Sequence, residues 1–208
     1  MTTLVVIAKE CLPGTVKTRL HPPFSLRQAA TLAAASLEDT LTVAARVPAT
    51  RRVLYFDGDT PPATAGRDWE VVSQCEGTLD VRLAGIFDLL DEPMLLIGMD
   101  TPHVTPGMLA PAFESWPSDV DAWIGAASDG GFWALGLADP RGRLTRGIQM
   151  SRPNTGAEQR RALVRAGLRV RDLVELRDVD TAADAAAVAA QIPNSLFGLA
   201  FRNALEEL

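Results

Sequence analysis

The fold class is indicated by an apolar run that leads straight into a carboxylate: MLLIGMDTP, residues 94–102. Residues 94–97 carry no polar side chain, which is typical of a parallel strand buried on both faces. A second run of this kind, residues 4–8, lies near the start of the chain. Strands alternate with helical patterns from there on. The sequence therefore predicts a three-layer α/β/α fold with a mostly parallel central sheet.

The other elements follow from hydrophobic period, caps and turn residues. Ser25 and Gln28 match a capping box and open a helix that runs to about residue 45. Thr105 is predicted to cap a helix that has Pro106 at its first position. The remaining predicted strands cover residues 52–56, 69–73, 121–126, 132–137 and 169–173, and the remaining predicted helices cover residues 79–90, 158–166, 182–191 and 196–206.

Size and charge limit the classes of protein and partner. The 208 residues suffice for one domain, residues 1–208, and are too few for two. The net charge of −6 gives no general attraction to nucleic acid or to anionic membranes. No apolar run approaches the length of a membrane span, and Cys11 and Cys75 match neither metal nor disulfide spacing. We expect a cytoplasmic protein with small-molecule partners.

The loop after the first strand is basic. Ligands of parallel sheets bind beyond the carboxyl ends of the strands, so this loop is a candidate site. Lys17 and Arg19 are two residues apart, and an extended backbone would point both the same way. With Lys9 and the backbone at Gly14, they suit a polyphosphate. The loop lacks the second glycine of a Walker A motif, and a solvated surface loop is the alternative.

Carboxylates follow two further strands. Asp100 comes directly after the 94–97 run, where an aspartate commonly holds Mg²⁺ or a ribose, or else bonds its own turn. Asp178 and Asp180 would lie about 6–7 Å apart on one side of an extended segment, a spacing that suits one hard cation. The alternative is a cap for the next helix. Thr181 and Asp184 fit that capping pattern and leave Asp178 unused.

Weaker candidates lie elsewhere. The glycines of Asp129-Gly130-Gly131 would let backbone approach a ligand, although the sequence alone favours a tight hairpin turn. Arg82 could face the site or solvent, and we favour solvent or an ion pair on its helix. His21 and His103 share no motif, which argues against a histidine metal site or a Ser-His-Asp triad. His103 follows Asp100 closely enough to be a possible substrate contact.

The motifs in combination resemble a known bacterial family. In order they are Lys9 with PGTVKTRL at 13–20, GMDTP at 98–102, DGGFW at 129–133 and DVDT at 178–181. The family has no known substrate and is usually labelled glycosyltransferase-like or rSAM/selenodomain-associated transferase. It is similar to the 2-phospho-L-lactate guanylyltransferases and, more remotely, to molybdenum-cofactor guanylyltransferase. All of these belong to the nucleotide-diphospho-sugar transferase superfamily, which has the glycosyltransferase-A (GT-A) fold.

The resemblance covers nearly the whole chain, residues 4–188, with a few departures. Cys11 and Met150 stand where many members carry proline and tryptophan. The resemblance implies a role for each residue that matches the family's motifs. The expected roles are donor phosphate binding by Lys9, Gly14, Lys17 and Arg19; a Mg²⁺ or Mn²⁺ site at Asp100, Asp178 and Asp180; catalysis by Lys17 and Asp100; and substrate contact by Asp129, Gly130, Gly131, Ser151 and Thr155.

The function expected from this resemblance is Mg²⁺-dependent transfer. The donor is a nucleoside triphosphate or a nucleotide sugar, and the acceptor is a small molecule. Nucleotidyl transfer to a phosphorylated acceptor is favoured because an anionic phosphate needs no general base. A glycosyltransferase using a nucleotide sugar is the alternative, and a non-catalytic nucleotide-binding module is the second. The acidic residues argue against the module, which has no need of three metal-binding carboxylates.

Overall fold

Seven strands form one sheet in the computed structural model, which describes residues 2–114 and 116–208. Their order across the sheet is β3-β2-β1-β4-β6-β5-β7. All pairings are parallel except those of β6, which runs antiparallel to both neighbours, so the predicted fold class is confirmed. The strands are β1 Thr3–Lys9, β2 Arg51–Asp57, β3 Glu70–Ser73, β4 Met94–Gly98, β5 Ala122–Ala127, β6 Phe132–Leu137 and β7 Val170–Leu176.

Helices cover both faces of the sheet. Helices α1 and α3 share a core with Val6 on one face, whereas α2 and α4 share a core with Val5 on the other. Helices α5 and α6 pack against the outside of α1 around Phe24 and Phe197. The helices are α1 Leu26–Ala44, α2 Leu79–Leu89, α3 Pro106–Leu109, α4 Thr155–Arg165, α5 Ala182–Gln191 and α6 Leu196–Glu206. Each helix among residues 2–114 and 116–208 is too short or too polar to cross a membrane.

The apolar runs are explained by burial on both faces. Val5 and Val6 are both fully buried, although successive side chains of a strand point to opposite faces. Burial of one such side chain contributes about 1.5–3 kcal/mol. The run therefore has no position for a polar residue until Lys9, where the strand reaches the edge of the sheet.

The expected alternation of strands and helices fails between β5 and β6. Residues 128–131 alone connect these strands, and a parallel crossover needs a dozen or more residues. The pair is therefore an antiparallel hairpin. Strand β7 also extends beyond its predicted end at residue 173, because an irregularity in its pairing with β5 lets Ala127 pair with Leu176.

Both predicted capping boxes are confirmed. The Ser25 hydroxyl accepts from the Gln28 N–H and starts α1, and the Thr181 hydroxyl accepts from the Asp184 N–H and starts α5. The carboxyl ends of β1, β2 and β4 lie side by side, since β1 pairs in parallel with both neighbours. The loops that follow these strands open on one edge of the sheet.

Candidate functional site

A cavity of about 640 Å³ lies at the carboxyl edge of the sheet. This volume is in the range of small-molecule sites. Its floor is formed by the ends of β1, β2 and β4, and its walls by segments around residues 15–19, 77–83, 129–133, 150–155 and 178–180. Most residues predicted for the site line it: Lys9, Lys17, Arg19, Asp100, Asp129, Gly131, Ser151, Thr155, Asp178 and Asp180.

The basic turn differs from the extended loop that we predicted. Lys17 has φ 46 and ψ 37, a left-handed conformation, and the next three residues form a 3₁₀ turn anchored by the buried Leu20. The prediction that an extended backbone aligns Lys17 with Arg19 is therefore wrong. The two side chains still converge, because each reaches a different oxygen of Asp180.

The positive charge of Lys17 is compensated by two carboxylates in the cavity. Its Nζ lies 2.8 Å from Asp100 Oδ2 and 2.8 Å from Asp180 Oδ1, and the side chain is 11% exposed. Burial disfavours the ammonium, but attraction to the two carboxylates outweighs that cost and raises the pKa of Lys17 above its usual range. Lys17 is therefore charged at every physiological pH. Arg19 is 69% exposed, and its Nη1 lies 3.3 Å from Asp180 Oδ2.

An acidic cluster, defined as Asp129, Asp178 and Asp180, lies beside this turn. One carboxylate oxygen from each residue lies within 4.8 Å of the others. Burial, together with the charges of Asp129 and Asp180, raises the pKa of Asp178 to about 6. Among the residues that the structure describes, Asp129 and Asp178 form no ion pair, whereas Asp180 is paired with Lys17 and Arg19. Carboxylate oxygens at this separation could hold a hard divalent cation.

Backbone contacts explain why these carboxylates meet. The Val179 N–H donates to the Asp100 carbonyl at 3.0 Å, which fixes the 178–180 loop at the end of β4. Asp129 occupies the β5–β6 turn, and its Oδ1 accepts from the Gly131 N–H at 2.7 Å. The hairpin that the sequence offered as the plain explanation of Asp129-Gly130-Gly131 is therefore present, and it also carries a cavity residue.

Asp100 lies outside the acidic cluster. Its carboxylate pairs with Lys17 and is connected to the cluster through Asp180, which accepts from the same ammonium. Asp178 and Asp180 make no part of the cap of α5, which uses Thr181 and Asp184. Both therefore present their carboxylates to the cavity.

Two predicted glycines do not line the cavity and instead have left-handed backbone conformations. Gly130 has φ 90, and a β-carbon there would overlap the carbonyl of Pro153. Gly14 has φ 83 in the turn before Lys17. Thr155 lines the wall but is nearly fully buried, and its hydroxyl donates to the Gln149 carbonyl at 2.8 Å. In this conformation its hydroxyl holds the loop.

Several cavity residues, Arg152 among them, were missed or disfavoured by sequence reasoning. For Arg82, solvent or an ion pair on its helix was favoured over the site, but it lines the cavity and its Nη1 lies 2.5 Å from Asp57 Oδ2. Gln74 accepts from the same nitrogen at 3.3 Å. Asp57 could have been found, because it ends strand β2 beside β1 just as Asp100 follows β4. Arg82 carries no such sequence signal.

His103 does not contact the cavity. The side chain is 7% exposed, and burial lowers its pKa. Its Nδ1 has no hydrogen-bond partner among the residues that the structure describes. It is a core residue.

Solved structures share this fold. A protein from Desulfovibrio desulfuricans G20 that carries the provisional name nucleotide-diphospho-sugar transferase superposes with a TM-score of 0.84 at 24% identity, covering 97% of this chain and 94% of that one. The 4-diphosphocytidyl-2C-methyl-D-erythritol synthase of Anaerococcus prevotii DSM 20548 gives 0.61 at 11% identity, covering 93% and 96%. Rv0371C of Mycobacterium tuberculosis H37Rv, solved in complex with manganese, gives 0.51 at 22% identity, covering 90% and 96%. At these identities the likeness shows the fold alone.

One family of sequences matches more than half of the chain. Comparison with curated proteins gives no match. The family described as "uncharacterized protein conserved in bacteria (DUF2064)" matches residues 40–152, which include Asp57, Asp100 and Asp129. The basic turn and the 178–180 loop lie outside the matched segment. The chain belongs to this DUF2064 family of bacterial proteins.

Proposed function

We propose that this protein is a metal-dependent transferase that binds a nucleoside triphosphate or nucleotide sugar in the cavity, and that it transfers the nucleotidyl group to a small phosphorylated acceptor. One observation carries the proposal: the acidic cluster and the Lys17–Arg19 turn share Asp180 and line one cavity. The names of the fold neighbours support it, since they include a nucleotide-diphospho-sugar transferase and a diphosphocytidyl synthase. The subfamily relationship to guanylyltransferases belongs to the same proposal.

A divalent cation fits the residues present. The acidic cluster offers three carboxylate oxygens, and neither Asp129 nor Asp178 forms an ion pair among the residues that the structure describes. We propose Asp129, Asp178 and Asp180 as its ligands, with Asp100 as a further ligand when Lys17 moves away. The neighbour solved with manganese makes Mn²⁺ as suitable a probe as Mg²⁺. A bound cation would neutralise charge on the phosphates during transfer.

The basic turn holds the donor phosphates in this proposal. Arg19 is the more exposed cation and pairs at a longer distance, so it is the freer of the two to bind an incoming phosphate. Lys17 has two carboxylate partners, and a cation held by the acidic cluster would compete with it for Asp180 and so make its charge available to phosphate. Lys9, whose Nζ donates to the Thr15 carbonyl at 2.5 Å, braces the turn. These groups orient the donor rather than exchange protons.

The chemistry then needs positioning and charge stabilisation. An oxygen of the acceptor phosphate attacks the α-phosphorus, a new P–O bond forms, and the bond to pyrophosphate breaks. The attacking oxygen is already anionic, so no proton has to be removed. Two free cysteines fit a reducing compartment, and we propose that the enzyme acts in the cytoplasm.

A thermal-unfolding panel tests the function. Nucleoside triphosphates and nucleotide sugars are each tested with and without Mg²⁺ or Mn²⁺. A ligand at about 100 times its Kd should add about 2.7 kcal/mol to the free energy of unfolding. Product analysis then separates the classes. Pyrophosphate release identifies a nucleotidyltransferase, nucleoside diphosphate release a glycosyltransferase, and binding without release a non-catalytic module. If no member of the panel stabilises the protein, the proposal is wrong.

A further inference from the structure

Arg152 is an uncommitted cation in the wall of the cavity. The other two arginines that line the cavity are paired: Arg19 with Asp180, and Arg82 with Asp57. Within the part of the chain that the structure describes, no carboxylate lies within 4.0 Å of the Arg152 guanidinium, and its side chain donates no hydrogen bond. A guanidinium offers a planar fork of donors that matches a phosphate or a carboxylate. The cavity thus has a second anion-binding group.

The backbone that carries Arg152 is fixed. Its N–H donates to the Thr155 hydroxyl at 3.0 Å, and that hydroxyl donates in turn to the Gln149 carbonyl at 2.8 Å. Ser151, just before it, has φ 58, a left-handed conformation that only a well-determined loop sustains. Thr155 was predicted as a substrate contact. Its observed role is to hold the residue that we infer makes the contact.

The same segment is locked to the turn that carries Asp129. The Gly156 N–H donates to the Gly130 carbonyl at 2.8 Å. Both glycines permit the close approach, since a β-carbon at Gly130 would overlap the Pro153 carbonyl and one at Gly156 would overlap the Gly131 carbonyl. Contacts therefore run from Lys17 through Asp180 and the acidic cluster to this segment. Arg152 thus belongs to the segment that contacts the Asp129 turn, whereas the donor turn contacts Asp180.

The surroundings of Arg152 suggest the kind of ligand. Phe132 and Met150 are partly buried and line the same wall, so a short apolar body can lie against them. The nearby acidic cluster repels anions while its charge is uncompensated. Anion binding at Arg152 should therefore strengthen when a divalent cation is bound.

We propose that Arg152 binds the anionic group of the acceptor, a phosphate monoester or a carboxylate, and so selects an acceptor that carries one. The proposal rests on the proposed function, because it assigns the acceptor side of the same cavity. Arg152 contacts no reacting atom in this account. It determines specificity by holding the far end of the acceptor.

The test uses methyl phosphate and acetate as probes with the full-length protein and Mn²⁺. Broadening of the probes' methyl proton signals by protein-bound Mn²⁺ gives their affinities. Arg152→Ala should weaken binding of the preferred probe about tenfold or more, as expected for loss of a charge-assisted hydrogen bond. Arg152→Lys keeps the charge and should recover most of that loss. Arg161→Ala, an exposed arginine on α4 outside the cavity, should match wild type.

Stronger binding of methyl phosphate or of acetate identifies which anion the site prefers. Mn²⁺ affinity, followed by electron paramagnetic resonance, should be equal in all three variants, which separates anion binding from damage to the metal site. Unchanged probe affinity in Arg152→Ala overturns the proposal. So does a loss seen in Lys17→Ala alone, which would place the anion on the donor turn. Failure of the proposed function is distinct, since triphosphates would then not stabilise even the wild-type protein.

Discussion

The basic turn and the acidic cluster lie side by side, yet their charges are compensated very differently. Lys17 has two carboxylates at 2.8 Å, and their attraction outweighs the cost of burial and raises the pKa of its ammonium. Asp178 is partly buried and has like charges for neighbours, and together these raise its pKa to about 6. The charge that the cavity leaves uncompensated is therefore negative, and a bound cation would compensate it. In the proposed function, a cation held by the acidic cluster would free the basic turn to bind phosphate, so metal and donor should bind cooperatively.

The largest effect is expected at the residue that both regions share. Asp180→Asn removes one oxygen from the acidic cluster and weakens the partner of both Lys17 and Arg19. We expect Mn²⁺ affinity to fall on the order of 100-fold, at the upper end of the losses seen around metal sites. Electron paramagnetic resonance titration of Mn²⁺ measures it. Asp91→Asn, at an exposed position outside the cavity, is the control. A loss of Mn²⁺ affinity of equal size in that variant would contradict the role of Asp180 as the residue that both regions share.

Removal of the Lys17 ammonium tests the basic turn. Lys17→Ala should weaken triphosphate binding by about 1.5–3 kcal/mol, as for loss of a hydrogen bond to a charged group, and should weaken nucleoside binding much less. Calorimetry of the two ligands in the variant gives both values. Arg46→Ala, an exposed substitution far from the cavity, should change neither. Equal losses for triphosphate and nucleoside would remove Lys17 from the phosphate site.

The turn that positions Asp129 can be broken with a matched control. Gly130 and Gly147 both have left-handed φ, 90 and 81, but a β-carbon overlaps the Pro153 carbonyl only at Gly130 and meets open space at Gly147. Gly130→Ala should therefore lower the free energy of unfolding by about 2 kcal/mol more than Gly147→Ala, the cost of a forced overlap. Denaturant unfolding of both variants measures the difference. Equal losses of unfolding free energy in the two variants would mean that the turn accommodates the added β-carbon without loss of stability.

The smallest expected effect is the pH dependence of metal binding. Because the pKa of Asp178 is raised to about 6, its carboxylate is charged at pH 7 and mostly protonated at pH 5. A cation must displace that proton, so Mn²⁺ affinity should fall about tenfold between pH 7 and pH 5. Asp178→Asn should bind Mn²⁺ more weakly and with a flatter pH profile. A wild-type profile as flat as that of the variant would show that Asp178 is not a ligand.

Most of the fold was predictable because the buried strands are runs of apolar residues. The runs around Val5 and at residues 94–97 have no polar position, and the capping pairs at Ser25 and Thr181 set helix starts by local hydrogen bonds. The antiparallel β5–β6 pair follows from the hairpin turn that the sequence analysis weighed at residues 129–131, because the short 128–131 connection excludes a crossover. Strand and helix signals act over a few residues, so they are present in the sequence itself.

The site was predictable where residues follow strands and unpredictable where distant segments meet. Asp100, Asp178 and Lys17 were found from their positions after strands or from spacing. That Asp129 joins Asp178 and Asp180, rather than only lining the cavity, depends on packing of the β5–β6 turn against another loop. The ion pair of Arg82 with Asp57 joins a helix to a strand 25 residues away, and no local pattern encodes it.

The central claim is that metal and donor phosphates share one cavity. Calorimetry of the triphosphate that most stabilises the protein, with and without Mn²⁺, tests it most directly. The account predicts binding at least about tenfold tighter with Mn²⁺, equivalent to about 1.4 kcal/mol, and loss of that gain in Asp178→Asn. Equal affinity with and without the metal, or the same gain in the variant, would contradict it.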